Sequence, residues 1–346
     1  MTDPIRIPFD EAPKQGEMIE LAQGVFWARM PLPIALNHVN VYILDDGDGW
    51  TVVDTGVDTK LSRRLWTELL SGPLSVKPVK RLIVTHHHLD HVGLAGWFAV
   101  EHGAELVMTR TAYLMARMLQ LDVQDAPTPE MIAFWRSCGM ASDILSKRIS
   151  ERPFNTADVV GQLPLGYTRI KDGDEITIGG RIWDVRCGDG HAPEHATFWS
   201  RDHALVLGGD QLLGSISPNL GVSATEPFAD PVGEWMHSCA AFQNHALESQ
   251  LVLTGHKLPY TGLPARLAQL IANHHTALDR LLAFLSAPHA ACDCFVPLFK
   301  REIKGGEYGL AMVEAMAHCV HLYHNGLVTR SLREDGAIVW QRKDQQ

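Results

Sequence analysis

The sequence predicts a layered α/β domain with a helical insertion, followed by a small C-terminal α+β domain. Short runs of β-branched and aromatic residues alternate with segments of helical spacing in the first third of the chain, which is the order of a layered α/β fold. Residues 110–150 carry helical patterns alone, and the C-terminal part carries three helices and a hairpin. The 346 residues are enough for one large and one smaller domain.

The alternation can be assigned element by element. Strands are predicted at 18–21, 24–30, 39–44 and 50–54, and the last two flank an Asp/Gly-rich turn typical of a hairpin. A helix at 59–70, a strand at 79–85, a helix at 92–102 and a strand at 105–109 follow. Beyond the insertion helices at 112–121, 129–138 and 142–150, strands return at 168–170, 175–178, 181–187, 196–200, 204–207 and 251–253, with a helix at 232–246. Met and aromatic residues at helical spacing in the insertion are typical of a core, or of a lid over a pocket.

The C-terminal part has the element order of a winged helix. Helices are predicted at 265–285, 290–300 and 308–325, and a hairpin at 327–331 and 337–342. Winged helices often bind DNA, but from Ala290 onward seven Lys and Arg are balanced by seven Asp and Glu. DNA binding needs a basic face. A dimerisation surface, or a wall beside an active site, is therefore favoured over nucleic-acid binding.

Composition and charge indicate a globular protein outside the nucleic-acid and membrane classes. Hydrophobic residues make up 46% of the chain and the net charge is -10, which disfavours polyanionic partners. No apolar run reaches the roughly 18 residues of a membrane span, and the segment from Met1 to Glu17 lacks the apolar core of a signal peptide. The six Cys form no Cys-x-x-Cys pair, as expected of reduced thiols. We therefore expect a cytoplasmic protein.

The stretch Thr85-His86-His87-His88-Leu89-Asp90-His91 carries the main chemical signal. It places four imidazoles and one carboxylate directly after the apolar run Leu82-Ile83-Val84. Neutral imidazole and carboxylate are ligands of Zn and related divalent metals. Desolvating so many ionisable groups together is costly unless something binds them. A solvated His-rich loop is the alternative, and matching residues further along the chain disfavour it.

Ionisable residues recur at the ends of the predicted strands. The set comprises Asp54, His86, His88, Asp90, His91, His191, Asp210 and His256. In an α/β layer these strand ends gather at one edge, where active sites form. The set is large enough for two metals, with three imidazoles for one, an Asp and two imidazoles for the other, and a further carboxylate between them.

The spacing of these residues resembles the metallo-β-lactamase superfamily. The resemblance rests on Val53-Asp54-Thr55-Gly56, Thr85-His86-x-His88-x-Asp90-His91-x-Gly93, Gly190-His191-x-x-x-His195, Gly209-Asp210 and Thr254-Gly255-His256, in the order of that family. It covers roughly residues 17–260 and implies an αββα sandwich of a hydrolase. The trailing winged helix resembles a module appended to some members. The expected organisation is an arm at 1–16, a catalytic domain at 17–262 with the insertion at about 110–150, and a winged-helix-like domain at 263–346.

The resemblance implies two divalent metal ions per chain, with Zn as the first expectation and Fe or Mn as alternatives. His86, His88 and His191 would hold the first metal, Asp90, His91 and His256 the second, and Asp210 would bridge them. Asp54 would orient a ligand imidazole, His195 would support the ligands without binding metal, and His87 would point away. Tyr260, four residues after His256, is a candidate oxyanion donor, with a packing role as the alternative.

The same resemblance implies a dinuclear hydrolase in which a metal-bridging hydroxide attacks a carboxylic ester, thioester or lactone. Asp90 would be the catalytic residue that accepts a hydrogen bond from the water. Asp210 stands where true β-lactamases of the family generally carry Cys or Ser, so the chain is closer to the glyoxalase II, lactonase and thioesterase branches. Lys257 is the only nearby basic residue for glutathione, which ranks glyoxalase II lower.

Two other functions stay open from the sequence. One is a phosphodiesterase or ribonuclease of the same superfamily, and the other is a non-catalytic regulator that binds through the winged helix. The acidic total and the balanced C-terminal charge disfavour both. The Met- and aromatic-rich insertion favours a small apolar or acyl substrate, with a homodimer as an open expectation.

Overall fold

The computed structural model describes residues 4–344, and their contacts divide the chain into two compact units. The first unit comprises the chain up to Val123, Asn155–Pro218 and His245–Arg266. The second comprises Gln124–Phe154, Asn219–Asn244 and the chain from Leu267 onward. Each unit is therefore assembled from segments that are far apart in the sequence.

Seven strands form the larger sheet of the first unit, in chain order. They are β1 (Ile19–Ala22), β2 (Val25–Pro31), β3 (His38–Asp45), β4 (Trp50–Val53), β5 (Val79–Ile83), β6 (Glu105–Thr109) and β7 (Thr168–Ile170). The pairs from β1 to β4 are antiparallel, and those from β4 to β7 are parallel. Because parallel strands end at the same edge of a sheet, the loops after β4, β5 and β6 all begin at that edge.

Five further strands form the second sheet of this unit. They are β8 (Glu175–Ile178), β9 (Arg181–Gly188), β10 (His195–Ser200), β11 (Leu205–Gly209) and β12 (Leu251–Thr254), in the spatial order β12-β11-β10-β9-β8. Only the β11–β12 pair in this sheet is parallel. The predicted strands at 175–178, 181–187, 196–200, 204–207 and 251–253 are confirmed.

Four helices belong to the first unit. They are α1 (Lys60–Ser71), α2 (Leu89–Val92), α3 (Ala95–His102) and α4 (Arg110–Leu121). α1 begins where the Thr59 hydroxyl accepts a hydrogen bond from the Ser62 amide, which caps a free helix donor. Its buried face is formed by Leu65, Trp66 and Leu69, which recur at helical spacing.

Alternate side chains of β3 face two separate hydrophobic clusters, which makes the unit a sandwich. Ile43 packs in one cluster with Trp66 of α1. Leu44 packs in the other with Trp183 and Phe198 of the second sheet. Since successive side chains of a strand point to opposite faces, the larger sheet has helices on one side and the second sheet on the other. The predicted α/β sandwich is confirmed.

The second unit is mainly helical and carries a small sheet. Its helices are α5 (Pro129–Ser137), α6 (Ser142–Ser150), α7 (Pro231–Gln243), most of α8 (Leu263–Phe284), α9 (Phe295–Phe299) and α10 (Tyr308–His324). Its strands are β13 (His289–Ala290), β14 (Val328–Leu332) and β15 (Ile338–Arg342), in the order β13-β15-β14. The three predicted C-terminal helices and the hairpin occur in the expected order, while the winged-helix assignment stays a prediction.

Two predicted helices are wrong in their extent. The helix predicted at 92–102 is interrupted between α2 and α3, because the Leu94 amide donates to the Thr55 hydroxyl instead of continuing the helix. The helix predicted at 290–300 shrinks to α9. The Ala290 amide donates to the Asp293 carboxylate, and the chain before it pairs with β15.

The predicted domain boundaries differ from the two compact units. The insertion predicted at about 110–150 is divided, since α4 lies in the first unit while α5 and α6 lie in the second. The boundary between 17–262 and 263–346 stays a prediction. The predicted arm 1–16 lies partly outside the described residues, and Arg6 pairs with Thr261 within the first unit. Within residues 4–344, no helix is both long and apolar enough to cross a membrane, and the cytoplasmic location stays a prediction.

Candidate metal centre

The ionisable residues predicted at strand ends come together in the first unit. Asp54 follows β4, and the loop after β5 carries His86 and His88 into α2, which bears Asp90 and His91. On the second sheet, His191 lies between β9 and β10, Asp210 follows β11, and His256 follows β12. Three groups of these side chains bring potential ligand atoms within 4.8 Å of one another.

The first group consists of three imidazoles. Nδ1 of His88 lies 3.0 Å from Nε2 of His86 and 3.0 Å from Nε2 of His191. Three ring nitrogens that converge on one another cannot all be satisfied by mutual hydrogen bonds, because each bond needs one donor and one acceptor. A cation at their centre would accept all three lone pairs.

The second group consists of two imidazoles and a carboxylate. Oδ2 of Asp90 lies 3.3 Å from Nε2 of His256 and 3.7 Å from Nε2 of His91. The other ring nitrogens are held from behind: Nδ1 of His256 donates to the His38 carbonyl at 2.8 Å, and Nδ1 of His91 donates to Asp54 at 2.8 Å. These hydrogen bonds hold the proton on each Nδ1, so that each Nε2, once deprotonated, offers its lone pair to a cation.

Asp210 joins the two groups through one oxygen, and with His86 and His91 it forms the third group. Its Oδ2 lies 3.5 Å from Nε2 of His191, 3.5 Å from Nε2 of His91 and 3.1 Å from Nε2 of His256. Gly255 makes room for this carboxylate, because a Cβ at that position would collide with Asp210 Oδ1. Any larger residue at Gly255 would displace the shared carboxylate.

Two imidazoles of the first group, those of His86 and His88, are neutral. Burial lowers the pKa values of His86 and His88 well below the ordinary histidine value, and the neighbouring imidazoles lower them further. Neutral imidazole is the form that binds metal. These two side chains therefore need no proton removed before a cation can bind.

The second group has the opposite electrostatics. Burial alone would lower the pKa of His256, but Asp210 and Asp90 raise it to about 10. The pKa of His91 is raised for the same reason, by Asp210, Asp54 and Asp90. The pKa values of Asp90 and Asp210 are lowered by these imidazoles, although burial opposes the shift. Protons on the imidazoles thus balance the carboxylates here, and a bound cation would replace them.

Buried polar atoms without hydrogen bonds agree with a metal at this place. Within residues 4–344, Nε2 of His91 and Oδ1 of Asp210 are buried and have no hydrogen-bond partner. Leaving such groups unsatisfied is costly. The donor set of imidazole and carboxylate suits Zn, Fe or Mn, and the residues present therefore fit a divalent metal centre.

Asp54 supports the cluster from a strained position. Its carboxylate accepts hydrogen bonds from the Thr85 amide at 2.8 Å and from the Thr85 hydroxyl, besides that from His91. Its φ of 61° lies in the left-handed region, which costs about 1 kcal/mol or more for a residue with a side chain. The hydrogen bond from His91 places Asp54 where it would orient that imidazole, and this role stays a prediction.

Three other predicted residues lie near the cluster or in the core. His195 is buried, and its Nε2 accepts a hydrogen bond from the Asp210 amide at 3.1 Å. Burial lowers the pKa of His195 to about 3, so the ring stays a neutral acceptor that positions the Asp210 backbone. His87 belongs to none of the three ligand groups among the described residues. Tyr260 is fully buried beside Gly214, a surrounding typical of a packing residue, and its oxyanion role stays a prediction.

The polar side chains that hold the loop bearing His256 were not among the residues predicted from the sequence. Asn40 donates from Nδ2 to the carbonyls of Thr254 and Lys257 at 2.8 and 2.9 Å, and Tyr42 donates to the Thr254 carbonyl at 2.7 Å. Arg29 donates to the Lys257 carbonyl at 2.6 Å. One sequence signal could have found this set, since Asn40 interrupts the apolar run around it and a buried amide needs partners.

Comparisons with known proteins identify the family of the chain. The family model described as "Metallo-beta-lactamase superfamily" matches residues 35–270. The model described as "Metallo-beta-lactamase-like, C-terminal domain" matches residues 278–343. A beta-lactamase domain protein from Burkholderia ambifaria has a similar structure, with a TM-score of 0.89, 32% identity and coverage of 98% of both chains.

Two curated proteins are also similar. A probable metallo-hydrolase from Bacillus subtilis is 26% identical over 247 residues, which cover 70% of this chain and 74% of that protein. A linear primary-alkylsulfatase from a Pseudomonas species is 23% identical over 230 residues, and the match spans 64% of this chain but only 42% of that protein. The predicted family and the predicted class of enzyme are both confirmed. With its two matched domains and its cluster of histidines and aspartates, the chain belongs to the metallo-β-lactamase superfamily and is a metallo-hydrolase of that superfamily.

Proposed function

We propose that this protein is a dinuclear metal-dependent hydrolase of a carboxylic ester, thioester or lactone. His86, His88 and His191 would hold one metal ion, Asp90, His91 and His256 the other, and Asp210 would bridge them. The observation that carries the proposal is the position of Asp210 Oδ2, within 3.1 to 3.5 Å of imidazoles from both groups. A single-metal site would not need a carboxylate shared between two sets of ligands.

The chemistry follows from what two divalent ions supply when bound: a water of lowered pKa as the nucleophile and polarisation of the scissile carbonyl. The protein residues orient the ligand imidazoles and accept protons from the attacking water. Asp90 is ionised, because neighbouring imidazoles lower its pKa against the effect of burial, and its carboxylate can accept a proton or a hydrogen bond from the attacking water. Asp54 and the His38 carbonyl keep the ligand imidazoles in one tautomer.

An apolar acyl substrate is supported by helix α4. The Thr111 amide in its first turn donates to the Glu194 carboxylate at 2.7 Å, and Glu194 belongs to the loop that carries His191. The same helix exposes Leu114, Met118 and Leu121, whose side chains are 55, 44 and 59% exposed. Exposed apolar residues at helical spacing favour an apolar ligand. Zn is the metal we expect, with Fe or Mn as alternatives.

Sulfate-ester hydrolysis is a second candidate, favoured by the similarity to the linear primary-alkylsulfatase. A long alkyl chain would use the same apolar stripe on α4. We rank it second because the match spans less than half of that protein. A phosphodiesterase or ribonuclease is ranked lower, since the C-terminal part from Ala290 carries equal numbers of basic and acidic residues.

A substrate panel tests the proposal. Zn-, Fe- and Mn-loaded protein would be assayed on aryl esters, acyl-CoA thioesters, lactones, alkyl sulfates, bis-p-nitrophenyl phosphate and single-stranded RNA. We expect turnover of at least one acyl substrate, with kcat/KM reduced about 10²-fold or more in Asp90→Asn. Glu101→Gln, on the exposed end of α3, is the control. Turnover confined to sulfates or phosphodiesters would refute the acyl assignment.

A further inference from the structure

Glu194 lies in the loop that carries the ligand residue His191 and has an unusual backbone conformation. Its φ is 49°, in the left-handed region. Glycine adopts this region freely, and asparagine and aspartate tolerate it because their short side chains can hydrogen-bond locally, but a glutamate adopts it at a cost. Because strained residues persist only where their surroundings over-determine them, the contacts of Glu194 indicate its role.

Two groups of Glu194, its carboxylate and its carbonyl, are bound to the segment where β6 passes into α4. The carboxylate accepts a hydrogen bond from the Thr111 amide at 2.7 Å, in the first turn of α4. The carbonyl accepts one at 2.8 Å from the hydroxyl of Thr109, the N-cap residue of that helix. The Glu194 carboxylate therefore satisfies a free amide at a helix N-terminus, where the helix dipole also favours a negative charge.

The His191 loop, residues 189–194, is closed by hydrogen bonds at both of its ends. The Glu194 amide donates to Asp189 Oδ1 at 2.8 Å, which joins the last residue of the loop to the first. The Asp189 carbonyl accepts from Nε2 of Gln211 at 3.2 Å, and Gln211 directly follows Asp210. The loop is therefore bound on one side to α4 and on the other to the residue after the shared carboxylate.

His191 lies between these two anchors. Its Nε2 is 3.0 Å from Nδ1 of His88 and 3.5 Å from Oδ2 of Asp210. A ligand side chain on a loop is placed accurately only when hydrogen bonds from surrounding residues leave the loop few alternative conformations. The contacts of Glu194 supply this restraint on the side of the loop that follows His191.

We propose that Glu194 is a positioning residue that fixes His191 for metal binding by anchoring the His191 loop to helix α4. This inference rests on the proposed function, because that function assigns His191 to the first metal. A glycine at this position would relieve the backbone strain but would lose the contact with the Thr111 amide. Backbone strain alone favours glycine here, so the contact with α4 accounts for the glutamate.

Stepwise Zn titration against a competing chelator tests the proposal without substrate. We expect Glu194→Gly to bind one of the two ions about 10- to 100-fold more weakly than the wild type, as is typical for residues that support ligands. Glu194→Gln keeps an oxygen that can accept from the Thr111 amide, and it should restore part of the affinity. The control Glu20→Ala removes a carboxylate that accepts from the Gly24 amide in the turn between β1 and β2, and it should bind both ions as the wild type does.

A double-variant cycle assigns the loss to the first group of ligands. His88→Gln should already lack the ion of that group, so adding Glu194→Gly should not weaken the remaining ion further. Thr109→Val removes the hydroxyl that donates to the Glu194 carbonyl and should weaken the same ion as Glu194→Gly does, by a smaller factor. Unchanged affinities in Glu194→Gly, or an equal loss in the His88→Gln background, would refute the proposal.

Thermal unfolding of the metal-free protein separates positioning from stability. Relief of strain offsets the lost contact with the helix in Glu194→Gly, so its melting temperature should stay close to that of the wild type while its Zn affinity falls. Should Glu194→Gly fail to fold, Thr109→Val decides the question, and wild-type affinities in that variant would refute the proposal.

The outcomes distinguish this inference from the proposed function. If no acyl substrate is turned over, the proposed function fails, and the Zn titration still decides the role of Glu194. If the wild type binds a single ion that is weakened in Glu194→Gly and lost in His88→Gln, the dinuclear assignment fails and the inference stands. If the wild type binds two ions and hydrolyses an acyl substrate, but Glu194→Gly has wild-type affinities, the inference fails and the function stands.

Discussion

Both compact units contain buried histidines, but among residues 4–344 only those of the first unit form groups of three or more potential metal ligands. In the first unit, imidazoles from five positions surround Asp90 and Asp210 and form three groups of potential ligands. In the second unit, His274 and His318 stack with ring centroids 5.6 Å apart. No three His, Cys, Asp or Glu side chains among the described residues of that unit meet the same distance criterion.

The location of the histidines explains the difference. Those of the first unit lie on loops and on short α2 at strand ends, where side chains from distant segments converge. His274 and His318 lie within α8 and α10, and both are buried. Histidine content alone therefore does not identify a metal centre, and the decisive feature is convergence with carboxylates.

The largest expected effect comes from removing the aspartate of an Asp–His contact, which can be done in each unit. Asp210→Ala should lower metal content and reduce kcat/KM by about 10³-fold, because it removes the oxygen shared by both groups. Asp230→Ala is the matched control in the second unit, where Asp230 accepts hydrogen bonds from His321 and from the Gly233 amide. It should cost about 1 kcal/mol of stability through the lost helix cap and leave the metal content intact. Metal analysis and steady-state kinetics on both variants would decide, and equal losses would contradict the comparison.

A smaller effect is expected from the buried amide that holds the His256 loop. Asn40→Ala should weaken metal binding in the group of Asp90, His91 and His256 by about 10- to 100-fold, as is typical for residues that orient ligands. Metal titration with a competing chelator would measure it. Asn219→Ala in the second unit removes an amide that donates to Glu314, and it should change stability only. If Asn40→Ala binds both metals as the wild type does, the hydrogen bonds to Thr254 and Lys257 do not position the ligand.

The histidines of the second unit should make folding sensitive to acid. Burial lowers the pKa of His274 to about 3 and that of His318 to about 4. Between these values and the ordinary value near 6.5, the unfolded chain binds more protons, so stability is complete above pH 6.5 and falls as the pH falls. His274→Gln should relieve this loss by about 2 kcal/mol at pH 5. Urea denaturation between pH 5 and 8 would measure it. An unchanged dependence of the unfolding free energy on pH in His274→Gln would contradict this expectation.

The smallest effect is expected within the His cluster itself. His87 is buried but belongs to no ligand group of the described chain, so His87→Gln should change kcat/KM by no more than about twofold and retain both metals. His88→Gln, at the next position, should lose the metal of the first group. The two variants would be compared by metal analysis. A loss of metal in His87→Gln would mean that His87 is itself a metal ligand.

Much of the site was predictable because its ligands follow strands. Each ligand motif adjoins a strand that the sequence pattern identifies: this holds for residues 86–91, His191, Asp210 and His256. Parallel strands end at one edge of a sheet, which brings such motifs together. The supporting residues were not predictable in this way. The contact of Asn40 with the His256 loop depends on the packing of β3 against a segment more than two hundred residues away, and no local pattern encodes it.

The order of the elements was also predictable, whereas their division into units was not. Helices α5 and α6 follow the first α/β segment in the sequence but belong with the C-terminal helices. The hydrophobic periodicity of these helices identifies which face is buried, but it does not identify the element that packs against that face. The interruption after α2 was missed for a similar reason, since it depends on a hydrogen bond from Leu94 to a hydroxyl delivered by another strand.

Metal stoichiometry tests the central claim most directly. Protein loaded with Zn, freed of excess metal and analysed by inductively coupled plasma mass spectrometry should contain close to two ions per chain. His274→Gln should give the same ratio, whereas Asp210→Ala should not. One ion or none in the wild type, or a loss of metal on replacing His274, would contradict a dinuclear centre confined to the first unit.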